Sequence, residues 1–176
     1  MDFAAVLSAI ASDLDRHELR WAVVGGIALA GLGMPRTTID LDIVTDAGAQ
    51  EHVVALLDSL GFDTVHRSAG YSNHLHRQPA VGRVDVVYVR GDTAEELFAA
   101  VQHVAGPGGL EMPVPAAEHL AAMKVLAMKN DPRRELQELA DIRFLLSRPD
   151  VDRERVREYF RRHGLLRQLE DVERNL

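Results

Sequence analysis

The sequence predicts an α/β (α+β) fold, a mixed β-sheet flanked by helices and continued by a helical C-terminal part. Three observations carry this expectation. Short apolar or β-branched runs (Trp21-Ala22-Val23-Val24, Ile39–Ile43, Val84–Val89) alternate with stretches of helical periodicity through the first 114 residues. A glycine pair, Gly25-Gly26, stands where the first run gives way to a helical pattern. Beyond Pro115 the periodicity is helical throughout, so residues 1–114 are expected to form the α/β core and 115–176 a helical region packed on it.

The elements follow in order. A helix is expected near 2–18, with Phe3, Val6, Leu7, Ile10 and Leu14 at helical spacing. A strand at 20–24, a short helix to about 32 and a strand at 38–45 come next. A helix near 48–60 stops at Gly61, a favourable C-terminal stop. Strands are expected at 62–67, 71–78 and 83–90, the last two joined by Gln78–Gly82. Asp92-Thr93-Ala94-Glu95 reads as a capping box opening a helix to about 103. Gly106-Pro107-Gly108-Gly109 is a loop, and Leu110–Val114 a short strand. In the C-terminal part, Asp131-Pro132 supplies an N-cap and first-turn proline for a helix that ends before Pro149.

The chemistry is concentrated in residues 25–42. On a strand alternate side chains share a face, so Asp40 and Asp42 project together while Ile39, Leu41 and Ile43 are expected on the other side. Adjacent like charges repel and call for a neutralising partner, and a divalent metal suits best. Asp85 is a third carboxylate, set in the β-branched run Arg83–Val89. If its strand lies beside that of Asp40 and Asp42, the three can hold two Mg²⁺, with Mn²⁺ as a substitute, about 3.5–4 Å apart for displacement at phosphorus. Gly25 and Gly26 offer bare backbone N–H groups at a strand-to-helix turn, suited to a triphosphate. Read singly, the glycine pair is also a plain tight turn, and the Asp-x-Asp a solvated edge strand.

In Gly25-Gly26, Arg36-Thr37-Thr38-Ile39-Asp40-Leu41-Asp42 and Asp85, the chain resembles the nucleotidyltransferase superfamily. It is most similar to the AbiEii-type toxin group, through Glu118–Ala127 with its embedded Lys124 and the following Leu139–Leu146 with Asp141. The resemblance covers roughly residues 20–147. Position 26 is Gly where many superfamily members carry Ser, which removes one hydroxyl contact to phosphate. The resemblance implies a nucleotidyltransferase fold and transfer of a nucleoside monophosphate from a nucleoside triphosphate to an acceptor hydroxyl. Asp40, Asp42 and Asp85 would be metal ligands and catalytic residues, with Asp85 able to serve as general base. Gly25, Gly26, Arg36 and Lys124 would bind the nucleotide, Lys124 stabilising the leaving pyrophosphate and Asp141 fixing its position. In that toxin group the acceptor is tRNA or protein, and a cognate antitoxin is the partner. The rivals are a small-molecule nucleotidyltransferase acting on aminoglycoside- or lincosamide-type antibiotics, and a non-catalytic nucleotide-binding or antitoxin-like module.

Other residues carry weaker expectations. Lys124 lies among apolar neighbours and needs a charge partner, or else snorkels from its helix, while Lys129 is expected in solvent. His74 and His76, with His66 nearby, have zinc-ligand spacing without an identifiable third ligand, and are expected on an exposed sheet face. Tyr71 and Tyr88 are expected to pack, and Trp21 to be core.

Composition narrows the function classes. With no cysteine there is no disulfide framework, thiolate metal site or cysteine nucleophile. An early acid and no basic leader argue against a secretory signal, and no apolar run reaches the roughly 20 residues that span a bilayer. A cytoplasmic protein is expected, burying about 70% of its unfolded surface. Residues 1–114 hold 7 Lys+Arg against 15 Asp+Glu, a balance of −8; residues 115–176 hold 13 against 12, or +1, giving −7 in all. That is no broad nucleic-acid face, although Arg153, Arg155, Arg157, Arg161, Arg162 and Arg167 can form a local stripe unless acids such as Glu154 and Glu158 pair them.

Overall fold

The structure, a computed structural model, describes residues 3–174 and 176. The chain divides into two compact units, 1–115 and 116–176, each described by itself.

The first unit carries α1 (Phe3–Arg16), β1 (Trp21–Val24), α2 (Gly25–Gly31), β2 (Asp40–Asp46), α3 (Gln50–Ser59), β3 (Phe62–Arg67), β4 (Tyr71–His76), β5 (Arg83–Val89), α4 (Gly91–Ala99), β6 (Val101–Ala105) and β7 (Glu111–Pro115). Five strands form a mixed sheet in the order β1-β2-β5-β4-β3, in which β2 and β5 are parallel and the other neighbours antiparallel. This is the mixed sheet the patterning calls for. One face is apolar: Leu41, Ile43, Val84 and Val86 are fully buried, as are Leu7, Ile10 and Leu14 of α1 and Val53 and Leu57 of α3. Trp21 is core, its indole N–H donating to Asp15 Oδ1 at 2.7 Å.

Four expectations need correction. Ile39 does not pack beneath the sheet; it is 77% exposed. The pairing of β2 with β5 starts at Asp40, and the Thr38 hydroxyl donates to the Asp40 carbonyl at 3.2 Å, which leaves Ile39 at the tip of a turn. The helix from 92 to 103 is cut short: α4 ends at Ala99, and Val101–Ala105 pair with Glu111–Pro115 around the glycine loop. Asp92 lies inside the first turn, so the capping box does not form; the N-cap position is Arg90, with no side-chain cap. His74 is buried, not on an exposed face. Strand parity places it with Ser72, Val84 and Val86, and it satisfies its ring locally, Nε2 with Ser72 Oγ at 2.7 Å and Nδ1 with Thr64 Oγ1 at 3.1 Å. Tyr88 packs as expected and closes this network through its hydroxyl, 2.8 Å from Ser72 Oγ, whereas Tyr71 is half-exposed and stacks on His66 with ring centroids 4.7 Å apart.

The second unit is helical: α5 (Ala117–Asn130), α6 (Glu135–Leu146), α7 (Arg153–Arg162) and α8 (Leu166–Glu173). Asp131 accepts from the Arg133 backbone N–H at 3.2 Å and caps a 3₁₀ turn at Pro132–Arg134 that runs into α6. Its core includes Leu120, Val125, Ile142, Leu145, Val156, Phe160 and Leu169. Among the described residues no helix is long and apolar enough to cross a membrane.

Candidate active site

Register fixes the centre of the site. Asp42 on β2 pairs in register with Asp85 on β5, and Val24 flanks Asp42 on the β1 side while Asn73 flanks Asp85 on the β4 side. Registered neighbours share a face and sit one strand spacing apart, about 4.8 Å. Asp40 lies two residues before Asp42 on that face, opposite Arg83. The three acids expected to converge from sequence are therefore brought together on the less buried face of the sheet, all of them part-buried.

Two neighbours organise this row, and sequence patterning did not single them out. Arg83 Nε donates to Asp85 Oδ1 at 2.6 Å, and Asn73 Nδ2 donates to the same oxygen at 2.7 Å. Both bonds fall on Oδ1, and Oδ2 takes part in neither. Arg83 is held in its charged form above its ordinary range, chiefly by the bond to Asp85 and further by the charges of Asp85, Asp40 and Asp42. One guanidinium thus feels all three carboxylates. The i, i+2 spacing of Arg83 and Asp85 was the available signal, since it puts both on one strand face.

The glycine pair is packed against this row. Gly25 has φ +66°, and a Cβ there would lie 1.9 Å from Asp42 Oδ2. A Cβ at Gly26 would lie 2.8 Å from Thr38 Cβ and 2.9 Å from its hydroxyl oxygen. Bare backbone at both positions is what lets the strand-to-helix turn approach the Asp-x-Asp strand. Arg36, Thr37 and Thr38 line a pocket of about 460 Å³ with Ile27, Gly31 and Gly106.

Lys124 and Asp141 are brought together in the second unit. Lys124 is buried, with its ammonium 2.7 Å from Asp141 Oδ2 and 2.9 Å from Glu138 Oε2. Glu138, fully buried and in ionic contact with Arg134 at 2.5 Å, was missed; its i, i+4 and i, i+3 spacings to Arg134 and Asp141 were the legible signal. Lys124 is thus a buried cation set between two buried carboxylates, with the half-exposed Arg134 reaching Glu138 from outside. Part of the arginine stripe is paired: Arg157 with Glu173 at 2.7 Å, Arg162 with Glu158 at 3.3 Å on the surface, and Arg153 donates to the Leu146 carbonyl at 2.9 Å, while Arg153, Arg161, Arg162 and Arg167 stay exposed.

A mixed sheet flanked by helices, a Gly-Gly turn packed on an Asp-x-Asp strand and a third Asp in register define a nucleotidyltransferase-type fold. The chain belongs to the family described as uncharacterised nucleotidyltransferase, whose model matches residues 2–172. The antibiotic-resistance factor ANT(2'')-Ia is similar over 99% of this chain and 98% of its own, with TM-score 0.69 and 17% identity. An antigenic nucleotidyltransferase-like protein from Paracoccidioides brasiliensis is similar over 98% of this chain and 90% of its own, with TM-score 0.60 and 16% identity. The lincosamide antibiotic adenylyltransferase LnuA, bound to lincomycin, is similar over 80% of this chain and 94% of its own, with TM-score 0.54 and 18% identity. No curated protein matches the chain in sequence.

Proposed function

We propose that this chain is a Mg²⁺-dependent nucleotidyltransferase that moves a nucleoside monophosphate from a nucleoside triphosphate to an acceptor hydroxyl, a reaction of the cytoplasm. The single observation that carries the reading is Asp42 in register with Asp85, with Asp40 on the same face and Gly25 bare against the Asp42 carboxylate. The donor set fits a hard divalent cation: all three groups are carboxylates, without thiolate and with imidazole absent from the registered pair. Asp40, Asp42 and Asp85 would hold the ion or ions, which when bound neutralise charge on the phosphates and acidify the acceptor hydroxyl.

The chain's own residues do the rest. The backbone N–H groups of the Gly25-Gly26 turn offer themselves to the triphosphate, and the missing side chains let that turn sit against Asp42 and Thr38. Arg36 supplies a guanidinium for phosphate oxygens. Asp85 Oδ2 takes the acceptor proton as general base while Arg83 and Asn73 hold Oδ1 and fix the plane of the carboxylate. Within the second unit Asp141 fixes the Lys124 ammonium, and the 2.7 Å contact between them supports that part of the assignment.

The acceptor best supported is a small cationic molecule bearing a hydroxyl. The balance of −8 over residues 1–114, and the pairing of C-terminal arginines with acids, oppose a polyanionic acceptor and suit a polyamine-like one. The aminoglycoside- and lincosamide-directed adenylyltransferases that share the fold agree with this. A second reading, an AbiEii-type toxin modifying tRNA or protein and neutralised by an antitoxin, is supported by the Lys124 helix followed by the Asp141 helix. Incubating the protein with Mg²⁺ and each α-labelled nucleoside triphosphate, against an aminoglycoside and lincosamide panel, total tRNA and cell protein, separates them. Label on a small cation supports the first reading, label on tRNA or protein the second. Nucleotide binding without transfer to any acceptor would move the chain to the non-catalytic binding module.

A further inference from the structure

A second cluster of ligand-type side chains shares no residue with the carboxylate row. Asp13 and His17 stand at i and i+4 at the end of α1, on one helix face. His52, in the first turn of α3, reaches them: its Nε2 is 2.6 Å from Asp13 Oδ2. His17 Nδ1 is 3.6 Å from the same oxygen, and the two imidazole rings lie 4.3 Å apart. Ligand atoms of all three residues fall within 4.8 Å of one another.

From this geometry we propose that Asp13, His17 and His52 form a binding site for a borderline first-row divalent cation, Zn²⁺ being the representative case, which ties the end of α1 to α3. Two imidazoles and one carboxylate are the donor chemistry such ions favour, while Mg²⁺ prefers all-oxygen sites. Zn²⁺ takes these ligands at about 2.0–2.2 Å, so tetrahedral ligand atoms stand about 3.4 Å apart. The Asp13–His17 pair is already near that separation at 3.6 Å, and the Asp13–His52 pair needs to open by less than an ångström. Zn²⁺ would replace the proton shared between Asp13 and His52. Three protein ligands leave a fourth position for water.

The local backbone holds His17 in place for this. His17 Nδ1 contacts the Asp13 carbonyl at 2.8 Å, and that carbonyl also accepts the His17 backbone N–H at 3.2 Å, so it stays bonded if the ring turns to a metal. Glu18 closes the helix with φ +55°, while Leu19 N–H donates to Leu14 O and Glu18 N–H to Asp15 O, the paired bonds of a Schellman cap. A non-glycine residue in the left-handed region is costly, and here it fixes the residue carrying the ligand. Arg16, 3.8 Å from Asp13 Oδ1, opposes a cation, but its side chain is 68% exposed and can swing away.

The test uses the full chain, chelator-stripped and without a polyhistidine tag. Calorimetric titration with Zn²⁺ is expected to show one tight site per chain, set apart from weaker binding at the carboxylate row, and a rise in Tm, and Co²⁺ to give the visible absorption of a low-coordinate N/O site. His17→Ala and His52→Ala should each weaken Zn²⁺ binding about tenfold or more and abolish the Co²⁺ band, with Asp13→Asn behaving alike. Asp42→Asn should leave both signals unchanged, which keeps this test separate from that of the carboxylate site. No Zn²⁺ binding up to millimolar concentration, binding unaltered in His52→Ala, or binding lost in Asp42→Asn would each overturn the assignment.

Discussion

Replacing Gly25 with Ala tests the packing on which the site depends. Two costs add. At φ +66° an L-residue pays about 1–2 kcal/mol for left-handed backbone. The new Cβ would also lie 1.9 Å from Asp42 Oδ2 and 2.6 Å from its Cγ, whereas ordinary contacts begin near 3.4 Å, so the carboxylate must move by more than an ångström. Displacement of that size at a reacting centre costs about 100-fold in rate. Stability should fall by about 1–2 kcal/mol, a Tm decrease of about 2–8 °C for a chain of this size. Gly91→Ala is the matched control, since Gly91 has φ +56° with nothing near its Cβ position. It should lose similar stability and keep nucleotidyl transfer. Denaturation curves and initial rates on both variants decide the matter. Gly25→Ala with wild-type turnover, or Gly91→Ala equally inactive, would refute the claim that bare backbone against Asp42 builds the site.

Further outcomes are expected elsewhere. Lys124→Met leaves Glu138 and Asp141 buried beside one remaining cation and should destabilise the chain by about 3–5 kcal/mol, measured by urea unfolding. Burial lowers the pKa of His74 from its ordinary 6.5, partly offset by Asp85. The unfolded ring therefore takes up a proton as pH falls through 6.5 while the folded ring resists, so stability is full above that pH and is lost below it. His74→Gln should flatten part of this acid dependence, with the similarly lowered His163 supplying some of the remainder. Glu18→Gly should raise stability by about 0.5–1 kcal/mol by relieving its left-handed backbone, read as a small rise in Tm.

Much of the first unit was legible in sequence because its strands carry period-two patterns bounded by glycine and proline. Asp40, Asp42 and Asp85 could be placed on strands from spacing alone, but not their register, because pairing between β2 and β5 spans two intervening strands and a helix. The expected helix ran on to about 103, over the start of the Val101–Ala105 strand, because no breaker follows the helical run, and only the partner Glu111–Pro115 makes that segment a strand. His74 was misplaced for a related reason. An imidazole reads as surface until Ser72, Thr64 and Tyr88 are known to satisfy it within the core. Arg83 and Asn73 were hidden because their roles arise across strands or from a shared face with Asp85, not from a motif.

The most direct measurement follows Mn²⁺ by electron paramagnetic resonance as it binds the protein with a non-hydrolysable nucleoside triphosphate, in the wild type and in Asp42→Asn and Asp85→Asn variants. The account expects nucleotide-dependent Mn²⁺ binding that Mg²⁺ displaces and that each substitution weakens by about 10–100-fold or more with the fold intact. Mn²⁺ bound with wild-type affinity by both variants would contradict it.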